Sequence, residues 1–271
     1  VNIATGTTPL GSAERLLDTT DLTVSAPATL VVGGDEKIGT LLGAGAITVD
    51  AGSLAVDDGT WSGNISGTKG LKKVSTGLLT ISGTNGYTGT TQLDEGTISL
   101  IGSLASRTVN VATGTTLNDV NGGLATDATL TNDGTTVLSH DDTILALVNT
   151  GTIDGSPNTL TATTYALNNG SEINANLGTG TVTANGTVAL NGTSNAETFN
   201  IETGTTTLGS AERLRDDTDL TIAEPAILVL GGAEKIGTLN GAGTVTNAGH
   251  RLTADDGSWA GVIQGTGGLT K

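Results

Sequence analysis

The chain has 271 residues, 42 of them glycine, with no cysteine, no methionine, only two Trp, two Tyr and one Phe, and a formal net charge of −16. That acidity excludes the basic patch that nucleic acid or an anionic membrane surface needs, and no apolar run approaches the ~18 residues of a membrane helix. Without cysteine, disulfides and thiolate metal sites are excluded as well.

Apolar residues make up 35% of the chain and most of them are small, so any core must be thin and assembled from local stacking. Abundant Thr beside so much Gly favours short strands and frequent turns over helices. Disorder is the rival for a chain of low hydrophobicity, but charged residues are only 14% and the apolar ones alternate regularly. Val1 is not a natural start and no basic-then-apolar leader follows it, so the expectation is a piece of a longer repetitive protein.

The first 73 residues open a long repeat. Residues 2–73 align without a gap on residues 200–271, with about 46 of 72 positions identical. Within the first copy, "LGSAERL" (Leu10–Leu16) follows a Thr-Gly-Thr-Thr turn and precedes the strand-like "DLTV". It is expected to leave the coil as a short helical turn capped by Ser12, or by Ser210 in the second copy. Glu14 and Arg15, or Glu212 and Arg213, would then be solvated or tie the excursion to the next coil. "EKIGTL" recurs unchanged, and "DDGTWSG" returns as "DDGSWAG".

Asp57 and Asp58 beside Trp61, matched by Asp255 and Asp256 beside Trp259, are the best carboxylate pairs in the chain. Paired carboxylates can serve as general acid and base on a sugar, but adjacent strand residues point to opposite faces and Asp-Asp-Gly also suits a corner, which is the reading taken. Trp61, Trp259, Tyr87, Tyr165 and Phe199 could stack on sugars; as rare large side chains in a thin core they are expected to plug coil interiors.

From Gly67 to Leu100 the chain reads "GTKGLKKVSTGLLTISGTNGYTGTTQLDEGTISL". Gly70, Leu71 and Lys73, then Gly77, Leu79, Ile81 and Gly83, then Asn85, Tyr87, Gly89 and Thr91, closed by Gly96 and Ile98, fall at distinctive spacings. This stretch resembles the passenger-associated transport repeat, also called the autotransporter-associated β-strand repeat, and a second copy begins at Gly265. The segment Thr205 to Gly249 is similar to the stretches between such repeats in large secreted haemagglutinin-like proteins. The resemblance implies a right-handed parallel β-helix in a surface or secreted adhesin-like protein of a Gram-negative bacterium. It further implies an extracellular or outer-membrane-associated location and a structural rather than enzymatic role. A terminal membrane barrel, which a complete autotransporter carries, is not visible in the sequence.

Residues 104–196 show the rung rhythm alone. Gly114, Gly134 and Gly151 sit in recurring turn phrases roughly 17 to 20 residues apart, each beside an alternating run such as "RTVNV" or "ATLTN". Such spacing predicts an all-β solenoid of about 20 residues per coil and some 13 coils, continuous over residues 1–271. His140 with Asp141 and Asp142 has the residue types of a metal or triad fragment, but His250 falls where the first copy has Gly52, so no histidine pair recurs and solvated loop residues are expected.

No catalytic, cofactor-binding or metal residues are assigned. Phosphate-loop, nucleophile-elbow, dinucleotide and Gly-Gly-x-Gly-x-Asp calcium motifs are all missing, which leaves weak adventitious calcium at single acidic turns as the only cofactor expectation. Thr-x-Thr pairs are too irregular for an ice-binding face. Expected partners are other copies or neighbouring repeats stacking end to end through open strand edges, and a host or matrix glycan or protein.

Overall fold

The structure, a computed structural model, describes residues 1–271 and contains strands but no helix. Successive strands pair in parallel with their counterparts one turn on, as Leu22 with Leu41, Leu54 with Leu71 and Thr181 with Thr198. The chain is a β-solenoid of about 15 turns with about 18 residues per turn. The expected turn of 20 residues was too long for a physical reason: many corners are made inside a strand. Strand Leu54–Trp61 bends at Asp57-Asp58-Gly59, where inward and outward alternation breaks and Gly59 takes φ +137. A Cβ on Gly59 would meet the Leu41 carbonyl oxygen at 2.1 Å. Glycine therefore turns the corner without a loop.

Two compact units divide the chain, Val1–Thr143 and Ile144–Lys271. In the first, strands Leu22–Val24, Glu36–Gly43, Leu54–Trp61, Leu71–Ile81 and Thr91–Leu100 stack in order, while Thr7–Leu10, Thr29–Gly33, Ala46–Ala51 and Asn64–Ser66 form a second parallel sheet. In the second, Thr159–Asn168, Thr181–Leu190 and Thr198–Leu208 stack, and Thr198–Leu208 is followed by both Asp219–Ile222 and Ile227–Leu230.

Alternation delivers every second side chain to the interior, so the core consists of columns that run from coil to coil. One reads Leu22, Leu41, Gly59, Leu79, Ile98 and Leu117, each in register with the next. The neighbouring column reads Val24, Gly43, Trp61, Ile81, Leu100, Asp119 and Leu138. Trp61, Tyr165 and Phe199 lie at 0 to 1% exposure within such columns and Tyr87 is buried between strands, in coil interiors as expected, whereas Trp259, near the chain end, is only half-buried.

At a second corner the backbone of successive coils comes closer than any side chain allows. A Cβ on Gly63, Gly83, Gly102 or Gly123 would meet the carbonyl oxygen of Gly45, Gly63, Gly83 or Gly102 at 2.0, 1.8, 2.0 and 2.2 Å respectively. This glycine column borders a shallow groove of about 460 Å³ lined by small uncharged residues including Ala26, Ala44 and Ala46.

Candidate functional site

The segments repeated most faithfully are joined to each other. Leu10–Leu16 forms no helix, and Ser12 and Ser210 cap nothing; the expected helical turn is replaced by an irregular excursion because Glu14 adopts φ 51 and Glu212 φ 49. A left-handed residue among right-handed or extended neighbours aims successive backbone N–H groups into one concavity, which suits an anion. The N–H of Glu14 donates to the Asp35 carbonyl at 3.0 Å, and those of Arg15 and Leu16 donate to the two carboxylate oxygens of Glu36 at 2.8 and 2.7 Å. In the second copy Arg213 and Leu214 donate to Glu234 at 2.9 and 2.8 Å, and Glu212 donates to the Ala233 carbonyl at 3.1 Å.

Glu36 and Glu234 are each only 2% exposed, because each begins a strand at an inward-facing position in register with Leu54 or Leu252. Burial pushes the Glu234 carboxyl up to about 7, against the two backbone donors, which favour its charged form. Close approach is secured by the preceding glycines: a Cβ on Gly34 would meet the Ala13 nitrogen at 2.4 Å, and one on Gly232 the Ala211 nitrogen at 2.2 Å. The excursion is thus tied to the next coil, as one expectation held, but through backbone donors and the Glu of "EKIGTL" rather than through Glu14 and Arg15 side chains. Arg213 adds a contact of its own, from Nη1 to the Asn191 carbonyl at 2.7 Å.

Carboxylates gather around each excursion. Partial desolvation and the adjacent Asp18 raise Glu14 above its ordinary range, and desolvation with Asp216 does the same to Glu212. Lysines interleave with the acids on the surface: Lys37 stands 3.9 Å from Asp18 and 3.4 Å from Asp57, and Lys235 stands 3.8 Å from Asp216 and 3.4 Å from Asp255. Asp57 and Asp255 therefore occupy ionic ladders between coils, each contributing on the order of 0–1 kcal/mol at such exposure. The corner reading of Asp-Asp-Gly matches the bend at Gly59, and Gly257 repeats it with φ +135.

Three of the motif residues behind the resemblance, Asn85, Tyr87 and Lys73, are buried and hydrogen-bonded within the coils. Asn85 is 1% exposed; its Oδ1 accepts the Ile65 N–H at 3.0 Å and its amide donates to the Gly83 and Ser103 carbonyls at 2.9 and 3.3 Å, bridging three coils. The Tyr87 hydroxyl is fully buried and lies 2.6 Å from the Thr91 Oγ1, and burial raises its pKa. Lys73 takes an inward position between Val56 and Leu93, with no exposed surface; its ammonium donates to the Ser75 and Glu95 carbonyls, and desolvation lowers its pKa.

The His140 neighbourhood departs from expectation. His140 and Asp141 are exposed, and the His140 Nδ1 contacts the Val120 carbonyl at 2.6 Å. Asp142, read as a solvated loop residue, is instead only 7% exposed and starts strand Asp142–Asn149. It lies beside a second acid, Asp119, which is not part of any sequence motif but whose inward position follows from the alternation of "TLND". No group of three or more His, Asp or Glu side chains is gathered to hold a metal. His250 lies in a backbone turn, its N–H donating to the Asn247 carbonyl at 2.6 Å.

Compared with known proteins, the chain matches no family model, no curated protein and no solved structure.

Proposed function

We propose that this chain is a structural β-solenoid segment, a stalk or passenger portion of a secreted or cell-surface adhesin-like protein that holds a distal region away from the cell. One observation carries the reading: the residues most faithfully repeated, "LGSAERL" and "EKIGTL", fasten one coil to the next. The motif residues Asn85 and Tyr87 likewise close coils from within. The resemblance to autotransporter-associated repeats supports the surface setting and the Gram-negative origin.

Single-molecule pulling on the full chain tests this. A spacer unravels in many small steps of about one coil each, since each coil contacts only its neighbours. Turnover of a polysaccharide that vanishes in an Asp57→Asn, Asp58→Asn variant would replace it with the carbohydrate-active reading.

A binding surface is the second reading, favoured by one feature present in both long repeats. The outward residues Thr29, Val31, Ala46, Thr48, Asn64 and Ser66 of one sheet, and their counterparts Ile227, Val229, Thr244, Thr246, Val262 and Gln264, are all uncharged in a chain of net charge −16. A glycan array and sedimentation of the full chain, each compared with a Thr48→Lys, Thr246→Lys variant, decide for or against that face.

A further inference from the structure

Asp119 sits where the apolar column through Trp61, Ile81 and Leu100 predicts a hydrophobic side chain, in register between Leu100 and Leu138. It has no exposed surface. Its Oδ1 accepts the Gly123 N–H at 2.9 Å, while its Oδ2 is buried with no hydrogen-bond donor among the backbone and neutral side chains. Asp142, one coil on, uses Oδ2 to accept the Leu124 N–H at 3.1 Å and Oδ1 to accept the Thr143 N–H at 2.6 Å, and its carboxyl meets that of Asp119. The adjacent amides of Gly123 and Leu124 hold the two acids side by side, and two buried carboxylates so placed cannot both be ionised at modest cost while one of their oxygens lacks a donor.

The geometry points to a proton-held latch: Asp119 and Asp142 share one proton, donated from Asp142 to the Asp119 Oδ2, and this shared proton closes the segment from Asp119 to Thr143 onto its own coil. Burial and the Asp119 carboxyl push Asp142 up to about 8, in agreement with a proton kept at neutral pH. The other titratable groups of the neighbouring segments, Arg107, Asp127, Asp133, His140 and Asp141, are exposed. The preceding coil carries none between Glu95 and Arg107, and Asp127 is exposed and paired with Arg107 at 2.9 Å. Strand Thr135–Leu138 is uncharged, His140 is turned to the Val120 carbonyl, Asp141 is exposed, and Asp142–Asn149 has no titratable residue after Asp142.

The sign follows from linkage. The folded chain holds a proton that an unfolded Asp has already released, so the latch is strongest below pH ~4 and weakens as pH rises toward about 8. Loss of the proton leaves two like charges in the column, and the Leu124 and Thr143 amides lose their ordered acceptor.

Carboxyl-carbon NMR of the full chain labelled at aspartate, followed from about pH 5 to 10, reads the pair directly. One aspartate signal titrating between about pH 7 and 9, and vanishing in Asp142→Asn, is expected. Complete titration of every aspartate below about pH 6 overturns the latch. Hydrogen exchange of the Gly123, Leu124 and Thr143 amides, corrected for intrinsic rate, supplies a second readout. Protection falls at least about tenfold between pH 6.5 and 9.5 in the parent chain and stays level in Asp119→Asn, whose amide replaces the proton permanently. His140→Gln behaves as the parent; a level profile in that variant would assign the transition to the imidazole and refute the latch.

Discussion

Replacing Glu36 with Ala removes the anion from the first excursion. The carboxylate is 2% exposed and accepts two backbone N–H groups at 2.8 and 2.7 Å, while the excursion that supplies them is itself exposed. Charge-assisted bonds contribute about 1.5–3 kcal/mol each, but the released amides hydrate as the excursion swings outward and the desolvation of Glu36 is no longer incurred. A net loss of about 2–3 kcal/mol in local closing remains. Glu36→Gln keeps one acceptor but turns an NH2 toward the other donor, and should lose about 1–2 kcal/mol. The bond after Arg15 is a trypsin site held inside the excursion, so its cleavage tracks the open population. At 1.4 kcal/mol per tenfold, Glu36→Ala should speed cleavage there by about 30- to 150-fold, read by mass spectrometry, with cleavage after Arg213 in the untouched second excursion as the internal reference. Equal rates after Arg15 in Glu36→Ala and parent chain would show that the carboxylate does not hold the excursion.

Glu234 is held up near 7 by burial, above an unfolded value of about 4.5. The folded state therefore keeps a proton that the unfolded chain loses, and stability declines across pH 4.5 to 7; hydrogen exchange at Arg213 and Leu214 should show that decline in the parent chain and a flatter profile in Glu234→Gln. Gly83→Ala sets a methyl 1.8 Å from the Gly63 carbonyl oxygen and forces neighbouring coils apart, lowering the urea midpoint by an amount equivalent to about 3 kcal/mol. Gly86→Ala meets nothing within 4 Å and should change the same midpoint by less than about 0.5 kcal/mol. Trp61→Phe removes a buried indole N–H that has no partner along with part of a ring, so near-neutral stability, within about 1 kcal/mol, is expected from denaturation where Trp61→Ala loses about 3–5.

Period-two alternation and recurring turn phrases make the solenoid legible in the sequence, because a strand buried on one face must repeat every second residue. Coil length was less legible, since Gly59 and Gly257 turn corners while remaining in strands and so leave no loop to count. The excursion stood out by its repetition, but its partner did not. Glu36 and Ile38 share an inward parity, and that parity marks Glu36 as an acid needing donors. The donors themselves arise from a positive φ at Glu14, a residue type with no turn signature. Asp119 and Lys73 are equally legible by parity as charged residues in inward positions, at "TLND" and "LKK". Asp142 is buried although its neighbours His140 and Asp141 face water, because the inward alternation of its strand begins at Asp142 itself.

The socket formed by residues 14–16 and the plug supplied by Glu36 lie about one coil apart, and both recur together 198 residues later. A recombination event that inserts or deletes whole long periods keeps every socket with a plug, whereas one that joins the chain out of register between Leu16 and Glu36 strands an acid in the interior of one product and an unfilled ring of amides on the other. Length can therefore change by complete periods with no compensating mutation, whereas a misaligned join leaves socket and plug each without its partner. The fastening is thereby also a reading frame for gene duplication.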